Sequence, residues 1–399
     1  MWKILISFAL LVQLFTSTFS QNANSLTKRQ LEVQNTTIEE ILNDSRVYWN
    51  KTMPDKNLQL IPLALFTSRN VMEIRSHYEG AAALYFPKNR LLEIGYSFAN
   101  LIDTLQDSPN VNLKFKNAIF YDEKSTNKQY LNDVKTRFHA EAYEMSFASN
   151  NSESIVAQFN EWFSSITKKP QPKLESPLMS GMNSFHTTVF TFSGCWNKPK
   201  ISDDIKKTLK FKTPTKEIDI KVLQAKEKIG YYNNPELKYE SIRLPFNNQD
   251  FAVTIVLPYL NHSLDMDLFR TFKGPDYLEL LERVNKNNEN IEYSVPLMNS
   301  AMITLNGNGT SINKDDPIIC DQSSSIRPAD RETSYKPFIV DRPFGVILYQ
   351  EKTKFVLSHV WVRNPTSGVS SFHRYSGKIA YIENNKPKYP LIPTYVVYY

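Results

Sequence analysis

Glycine is scarce in this sequence, with 11 residues in 399. Neither GxGxxG nor a GxxxxGK loop followed by Ser or Thr occurs, so the glycine-rich turns that cradle phosphates are missing. Cysteine is scarcer still. Cys195 and Cys320 are the whole complement, too few for a disulfide scaffold, and CxxC is absent. The six histidines, His77, His139, His186, His262, His359 and His373, fall in no HExxH motif and in no Cys/His cluster. A zinc site is therefore unsupported, and no metal or cofactor is expected. There is no GxSxG nucleophile elbow. The acidic pairs Asp203-Asp204 and Asp315-Asp316 lie in polar turns, where solvated charge is the ordinary reading. An enzyme is thus the weaker class, with a hydrolytic triad assembled from distant residues as a third reading. Beyond the N-terminus no run of eighteen apolar residues exists to span a bilayer. Net charge is mild, at +6, and gives no reason to expect nucleic acid.

What is present can build a core. Hydrophobic residues make up 41% and aromatics 13%, with 24 Phe and 21 Tyr, residue types suited to half-buried β-surfaces. Lys3 precedes an apolar run over residues 4–12, and Thr18 and Ser20 fit the small positions before a cut at Gln21. That pattern is a signal peptide over residues 1–20, too short for a membrane span, and it predicts a secreted, extracellular protein. Secretion gives meaning to the glycan acceptors at Asn35, Asn43, Asn50, Asn150, Asn261 and Asn308. It also allows one disulfide between Cys195 and Cys320, which their separation in sequence does not establish.

Periodicity predicts helices early and strands late. Apolar residues recur at helical spacing over residues 38–49, 90–105, 126–138 and 154–166, the last with Ile155, Phe159, Trp162, Phe163 and Ile166 on one face. Residues 57–66 read as a strand passing into a helix at Ile61-Pro62-Leu63. Strands are expected at 112–121, 142–147, 187–192, 217–226, 238–245, 251–257, 291–296, 301–305, 338–340, 344–348 and 355–362, with one more helix inside 259–283. Without regular βα alternation this is an α+β chain. Residues 306–336 are polar and read as a long exposed loop, a length that inside a compact domain is usually functional or disordered. Ten lysines crowd residues 198–228. They offer weak binding to polyanions such as glycosaminoglycans, but Asp203, Asp204, Glu217, Asp219 and Glu227 dilute them, and a solvated face is the better account.

Five segments in order resemble the serpin family. NAIFYDEKSTNKQYLNDVKTRFHAEAYEMSFAS (117–149) is similar to its strand–helix–strand, and FNEWFSSITKK (159–169) to the helix that follows. TTVFTFSGCW (187–196), YESIRLPFNNQDFAVTIVLP (239–258) and PFIVDRPFGVILYQEKTKFVLSHVWVRNP (337–365) resemble later strands and hairpins of that family. The resemblance covers roughly residues 30–365. It implies one domain over 21–365, a C-terminal extension over 366–399, and three β-sheets with about eight or nine helices and an exposed reactive loop. It further implies inhibition of a serine-type endopeptidase by a monomeric protein. In such inhibitors the cut loop inserts as a new strand, and stored strain is released by strand addition.

The resemblance also exposes departures. AMITLNGNGTSINKDDP (301–317) is most similar to the hinge at which insertion begins. Gly309 and Thr310 match, whereas Ile312, Asn313, Lys314, Asp315, Asp316 and Pro317 stand where small residues are wanted. Burying an unpaired Lys or Asp costs several kcal/mol, and Pro317 lacks an N–H. Ala64 and Asn299 stand in place of the serine and histidine usual below the hinge, and Thr188 in place of an asparagine. The stretch between Pro258 and Asn306 falls short of the family pattern by roughly thirty residues, a change of the kind that falls on loops or whole elements. A different hinge register, with 301–305 matching another strand, stays open. Counting forward from the hinge puts the scissile bond near Ser323-Ser324, and counting back from Pro343-Phe344 puts it near Asp330 to Glu332, a window that holds Arg331. Arg331 would suit a trypsin-like protease. The first expectation is a serine protease inhibitor by class, and the alternative is a non-inhibitory serpin-fold protein that binds a ligand or partner.

Overall fold

The computed structural model describes residues 57–61, 64, 67, 71, 99, 101–106, 108, 111–122, 127–147, 152–167, 184–197, 208–260, 274–299, 303–312, 318, 320, 334–366, 382–383 and 386–387. The signal-peptide and 38–49 helix assignments lie outside these residues, as do Asn35, Asn43, Asn50, Asn150, Asn261, Asp316, Ser323, Ser324, Arg331 and Glu332.

The chain opens with β1 (Leu58–Leu60) and β2 (Val111–Tyr121), then α1 (Lys128–Phe138), β3 (Ala140–Glu144), α2 (Ser152–Thr167) and β4 (Ser184–Cys195). Next come β5 (Thr208–Lys212), β6 (Glu217–Asn234), β7 (Tyr239–Pro245), β8 (Phe251–Pro258), α3 (Gly274–Lys286) and β9 (Asn288–Pro296). Three very short strands follow, β10 (Met298–Asn299), β11 (Thr304–Leu305) and β12 (Gly309–Ile312). The last are β13 (Lys336–Ile339), β14 (Phe344–Gln350), β15 (Val356–Val362) and a small hairpin of β16 (Ile382–Glu383) and β17 (Lys386–Pro387). Helical residues at 64, 67 and 71, and again at 99 and 101–106, agree with the sequence reading of both regions.

Two large sheets organise the molecule. One runs β1-β15-β14-β8-β7-β6-β9-β13, with β5 also paired to β6. The 18-residue β6 pairs with β5, β9 and β7 in turn along its length, so two of the three expected sheets join into one ladder. The other runs β10-β11-β12-β4-β2-β3. β8, β14 and β15 are buried at every position, the pattern of strands covered on both faces.

The second sheet is a middle layer. Side chains alternate across β2 and β4, so the two strands serve two cores. Leu113, Phe115 and Ile119, with Phe190 and Phe192, face the large sheet and join Phe251, Val253, Ile255 and Val346 in the main core. Ala118, Phe120, Phe185 and Val189 face the other way, beneath Ile155, Phe159, Trp162 and Phe163 of α2. Phe120 stacks on Phe185 at 4.6 Å and on Tyr143 at 5.1 Å. α1 starts where the Asn127 carboxamide oxygen accepts from the N–H groups of Gln129 and Tyr130, and stops at His139 in the left-handed region. Asn57 ties β1 to the far end of the fold. Its Nδ2 donates to the Asn364 carbonyl, and its Oδ1 accepts from the Arg363 and Asn364 N–H groups.

The lysine-rich run holds a strand that the sequence reading passed over. In β5, Leu209 and Phe211 alternate with charged neighbours, and Phe211 packs edge-on to Phe344. Two of the lysines on this hairpin sit beside acids. Lys210 lies 3.3 Å from Asp219 and 3.7 Å from Glu217, and Lys226 lies 3.4 Å from Glu292, which accords with a solvated face.

Phe159 is fully buried between α2 and the middle sheet. Phe159→Ala is expected to destabilise the protein by about 3–5 kcal/mol in denaturant unfolding, the range for emptying an aromatic core site.

Candidate functional site

The hinge predicted from the sequence is a buried strand. β12 lies between β4 and β11 and runs antiparallel to both. Opposite β4, Gly309 faces Cys195, Thr310 faces Gly194, Ser311 faces Ser193 and Ile312 faces Phe192. The loop expected to be exposed from 306 onward therefore begins inside the sheet. Ile312, expected to oppose entry because of its size, is buried in the main core with Phe192.

Local chemistry explains the hairpin that delivers β12. Residues 306–309 read Asn-Gly-Asn-Gly, a strong turn signal that the sequence reading left unused. The Asn306 carboxamide oxygen accepts from the N–H groups of Asn308 at 2.9 Å and Gly309 at 3.1 Å, and the Asn306 N–H donates to the Gly309 carbonyl. The side chain thus imitates a backbone turn. Trp196 clamps the same turn from the end of β4. Its Nε1–H donates to the Asn306 carbonyl at 2.8 Å and its backbone N–H to the Asn308 carbonyl at 2.9 Å. The indole stacks on Phe246 at 5.1 Å. Gly309 has no substitute here, because a Cβ would collide with the Gly194 carbonyl oxygen. Asn308, a glycan acceptor motif, is exposed at the tip of this hairpin.

Cys195 and Cys320 form a disulfide, with Cα atoms 5.8 Å apart. The loop therefore returns to the end of β4 soon after leaving it. Ile318 confirms the return, since its Cγ2 lies 2.9 Å from where a Gly309 Cβ would be.

On the far side of β12 the sheet is short. Met298 faces Leu305 and Asn299 faces Thr304, and among the described residues β11 pairs with β12 only at Thr310 and Ser311. The twelve residues of β4 thus have a second-edge ladder only at positions 192–195 among the described residues, while β2 pairs with 184–194 on the other edge. Below the hinge, the Thr188 hydroxyl donates to Asn117 Oδ1 at 2.7 Å, and Asn117 Nδ2 donates to the Phe138 carbonyl at 2.8 Å. His186 is fully buried on the same strand, and both of its ring nitrogens are without a partner among the described residues. Burial lowers its pKa to about 3. His359, in β15 beside the Tyr277 hydroxyl at 2.6 Å, is lowered to about 3 for the same reason. Among the described residues no group of three or more His, Cys, Asp or Glu is placed to hold a metal.

Comparison with known proteins agrees with this architecture. The Serpin (serine protease inhibitor) family model matches residues 61–298, more than half of the chain. The protein belongs to the serpin family. An uncharacterized serpin-like protein of Methanosarcina acetivorans is 24% identical over 195 residues, 47% of this chain and 44% of the relative. The chain thus aligns with less than half the length of that curated relative. Among solved structures, Manduca sexta serpin-12 superposes with a TM-score of 0.64 at 14% identity, covering 86% of this chain and 99% of that one. Human thyroxine-binding globulin, solved in complex with thyroxine, gives 0.62 at 15% identity, covering 86% and 100%. The family match ends at Met298, the first residue of the short hairpin.

Two outcomes are expected. Gly309→Ala should displace β12, lowering stability by roughly 1–3 kcal/mol, the cost of overpacking, and speeding hydrogen exchange at Thr310, Ser311 and Ile312. Acid should destabilise the fold through the buried His186 and His359. The unfolded chain protonates each near pH 6.5 and the folded chain only near 3, so the unfolded state binds more protons between these values. Stability should then fall by about 2 kcal/mol per histidine between about pH 7.5 and pH 5, and His186→Leu should remove about half of that loss in urea unfolding at each pH.

Proposed function

We propose that this protein is a secreted serpin that recognises its partner through the loop and hinge without trapping a protease by full loop insertion. The observation that carries the reading is the short far wall of the middle sheet. Among the described residues, a strand inserted along the whole of β4 would find β11 beside it only near Thr304 and Leu305, without that ladder for its remaining backbone groups. Chemistry at the next positions points the same way. Extending the observed pairing sets Asn313 opposite Thr191, Lys314 opposite Phe190, Asp315 opposite Val189 and Asp316 opposite Thr188. Opposed residues share a face, so Lys314 and Asp316 would enter the main core, at a cost of several kcal/mol each. Pro317 would come next, without an N–H.

The fold itself leaves function to the site. The family description names serine protease inhibition, and thyroxine-binding globulin is a neighbour named for hormone binding. For this chain the reading is of a monomer that displays residues 321–335 between Cys320 and β13, with Arg331 the residue a trypsin-like protease would read. Such a protease would treat that segment as a substrate or a reversible ligand. Secretion is supported by the N-terminal signal pattern and by a disulfide suited to an oxidising compartment. No enzymatic role is proposed, and glycosaminoglycan binding is not favoured, given the acids around Lys210 and Lys226.

Incubation with trypsin and with an elastase-like protease tests this. The expected result is cleavage at Arg331 with no adduct stable to denaturing gels and no rise in Tm after cleavage. A covalent adduct, or a cleaved form that melts well above the intact one, overturns it.

A further inference from the structure

We propose that Asn308 carries an N-linked glycan attached before β12 enters the sheet, and that the Thr310 hydroxyl serves this modification and not the fold. The proposal rests on the secreted reading, because the transfer takes place in the secretory lumen. Asn308-Gly309-Thr310 is an acceptor motif, in which the asparagine amide and the hydroxyl two residues on are read together. The folded structure treats the two ends of the motif differently. Asn308 is exposed at the tip of the β11–β12 hairpin, whereas Thr310 is fully buried. Thr310 pairs with Gly194 of β4 on one side and Leu305 of β11 on the other, so neither cross-strand neighbour brings a polar side chain. Its Oγ1 is buried and has no hydrogen-bond partner among the described residues. An orphaned hydroxyl in a core costs free energy, and valine would fill the site without one. The fold gives no reason for a hydroxyl at this position, and the acceptor motif does.

Burial also sets the order of events. With Thr310 inside the ladder, a transferase cannot read its hydroxyl. Trp196 holds the Asn306 and Asn308 carbonyls from the end of β4, and Gly309 packs against the Gly194 carbonyl oxygen, so the backbone of the motif is covered as well. Modification must therefore come while the segment is unpaired, and synthesis supplies the interval. Ile312 shares its core with Val346 and Leu348 of β14 and with Val360 and Val362 of β15, strands that emerge later. β15 ends about 50 residues beyond Ile312, a delay of about 3–10 s at ~5–20 residues per second. In the transfer, Asn308 Nδ2 attacks the anomeric carbon of a polyprenyl-pyrophosphate-linked oligosaccharide. The C–N bond forms, the bond from that carbon to the pyrophosphate oxygen breaks, the pyrophosphate leaves with the electron pair, and one Nδ2 proton passes to a base of the transferase. The sugar then stands at the end of β4 beside the disulfide, where Cys320 Sγ lies 3.5 Å from the Asn308 carbonyl oxygen.

The full chain and its Asn308→Gln and Thr310→Val variants are expressed in secreting insect cells, and mass spectrometry of glycopeptides reads each acceptor. The expected result is a glycan on Asn308 of the unsubstituted protein, its loss in both variants, and a urea midpoint for Thr310→Val equal to or above that of Asn308→Gln. A lower midpoint for Thr310→Val shows that the hydroxyl supports the fold and overturns its assignment to the modification. The order is read on glycan-free chain made in bacteria, offered to microsomal membranes either folded with its disulfide intact or reduced and unfolded. At least tenfold more transfer to Asn308 in the unfolded chain is expected, and equal transfer overturns the order. Secreted protein with sugar on Asn35, Asn43, Asn50, Asn150 or Asn261 and a bare Asn308 refutes the proposal and leaves the secreted reading standing. A chain that keeps residues 1–20 and carries no sugar refutes both.

Discussion

A strand can join the interior of a sheet only where neighbours on both sides supply hydrogen-bond partners for its backbone, and that requirement governs this molecule at β12. Two residues meet it on both sides. Thr310 and Ser311 pair with β4 and with β11, whereas the ladder gives Gly309 and Ile312 partners on β4. Among the described residues β11 pairs with β12 no further than Ser311, and Cys320 is tied covalently to Cys195. The hinge, the clamp made by Trp196 and Asn306, and the disulfide all gather at one end of β4, where the sheet is locally complete.

The rest of the fold makes that end rigid. β4 and β2 pair over eleven positions and divide their side chains between two cores, one under the large sheet and one under α2. Packed interiors transmit displacement poorly as gradual change, so a strand in this position is held rather than sliding. The Thr188–Asn117 hydrogen bond and its link to the Phe138 carbonyl fasten β4 to β2 and to the end of α1 below the hinge. The resulting platform favours a loop whose entry point is fixed and whose displayed portion varies.

Legibility followed the strength of the local pattern. The face of α2 carrying Ile155, Phe159, Trp162 and Phe163, and the runs that became β2, β7, β8, β14 and β15, were readable because their apolar spacing matches one element only. β5 was missed because Lys210 and Lys212 alternate with its inward Leu209 and Phe211 inside a lysine-rich run, and charge masked a short alternation. The buried state of Ile312 was missed because the family pattern calls for small residues at that point, while Phe192 and the main core in this chain have room for a branched side chain. The turn at Asn306 was within reach, since Asn-Gly repeats announce tight hairpins.

The order of most strands was determined by the sequence alone, because local propensity and spacing are written in it directly. That Cys195 pairs with Cys320, that residues 309–312 lie inside the sheet, and that β11 meets β12 at two positions among the described residues were decided by the tertiary structure. Those facts depend on which distant segments become neighbours, and pairing across 125 residues leaves no mark on the local pattern of either partner.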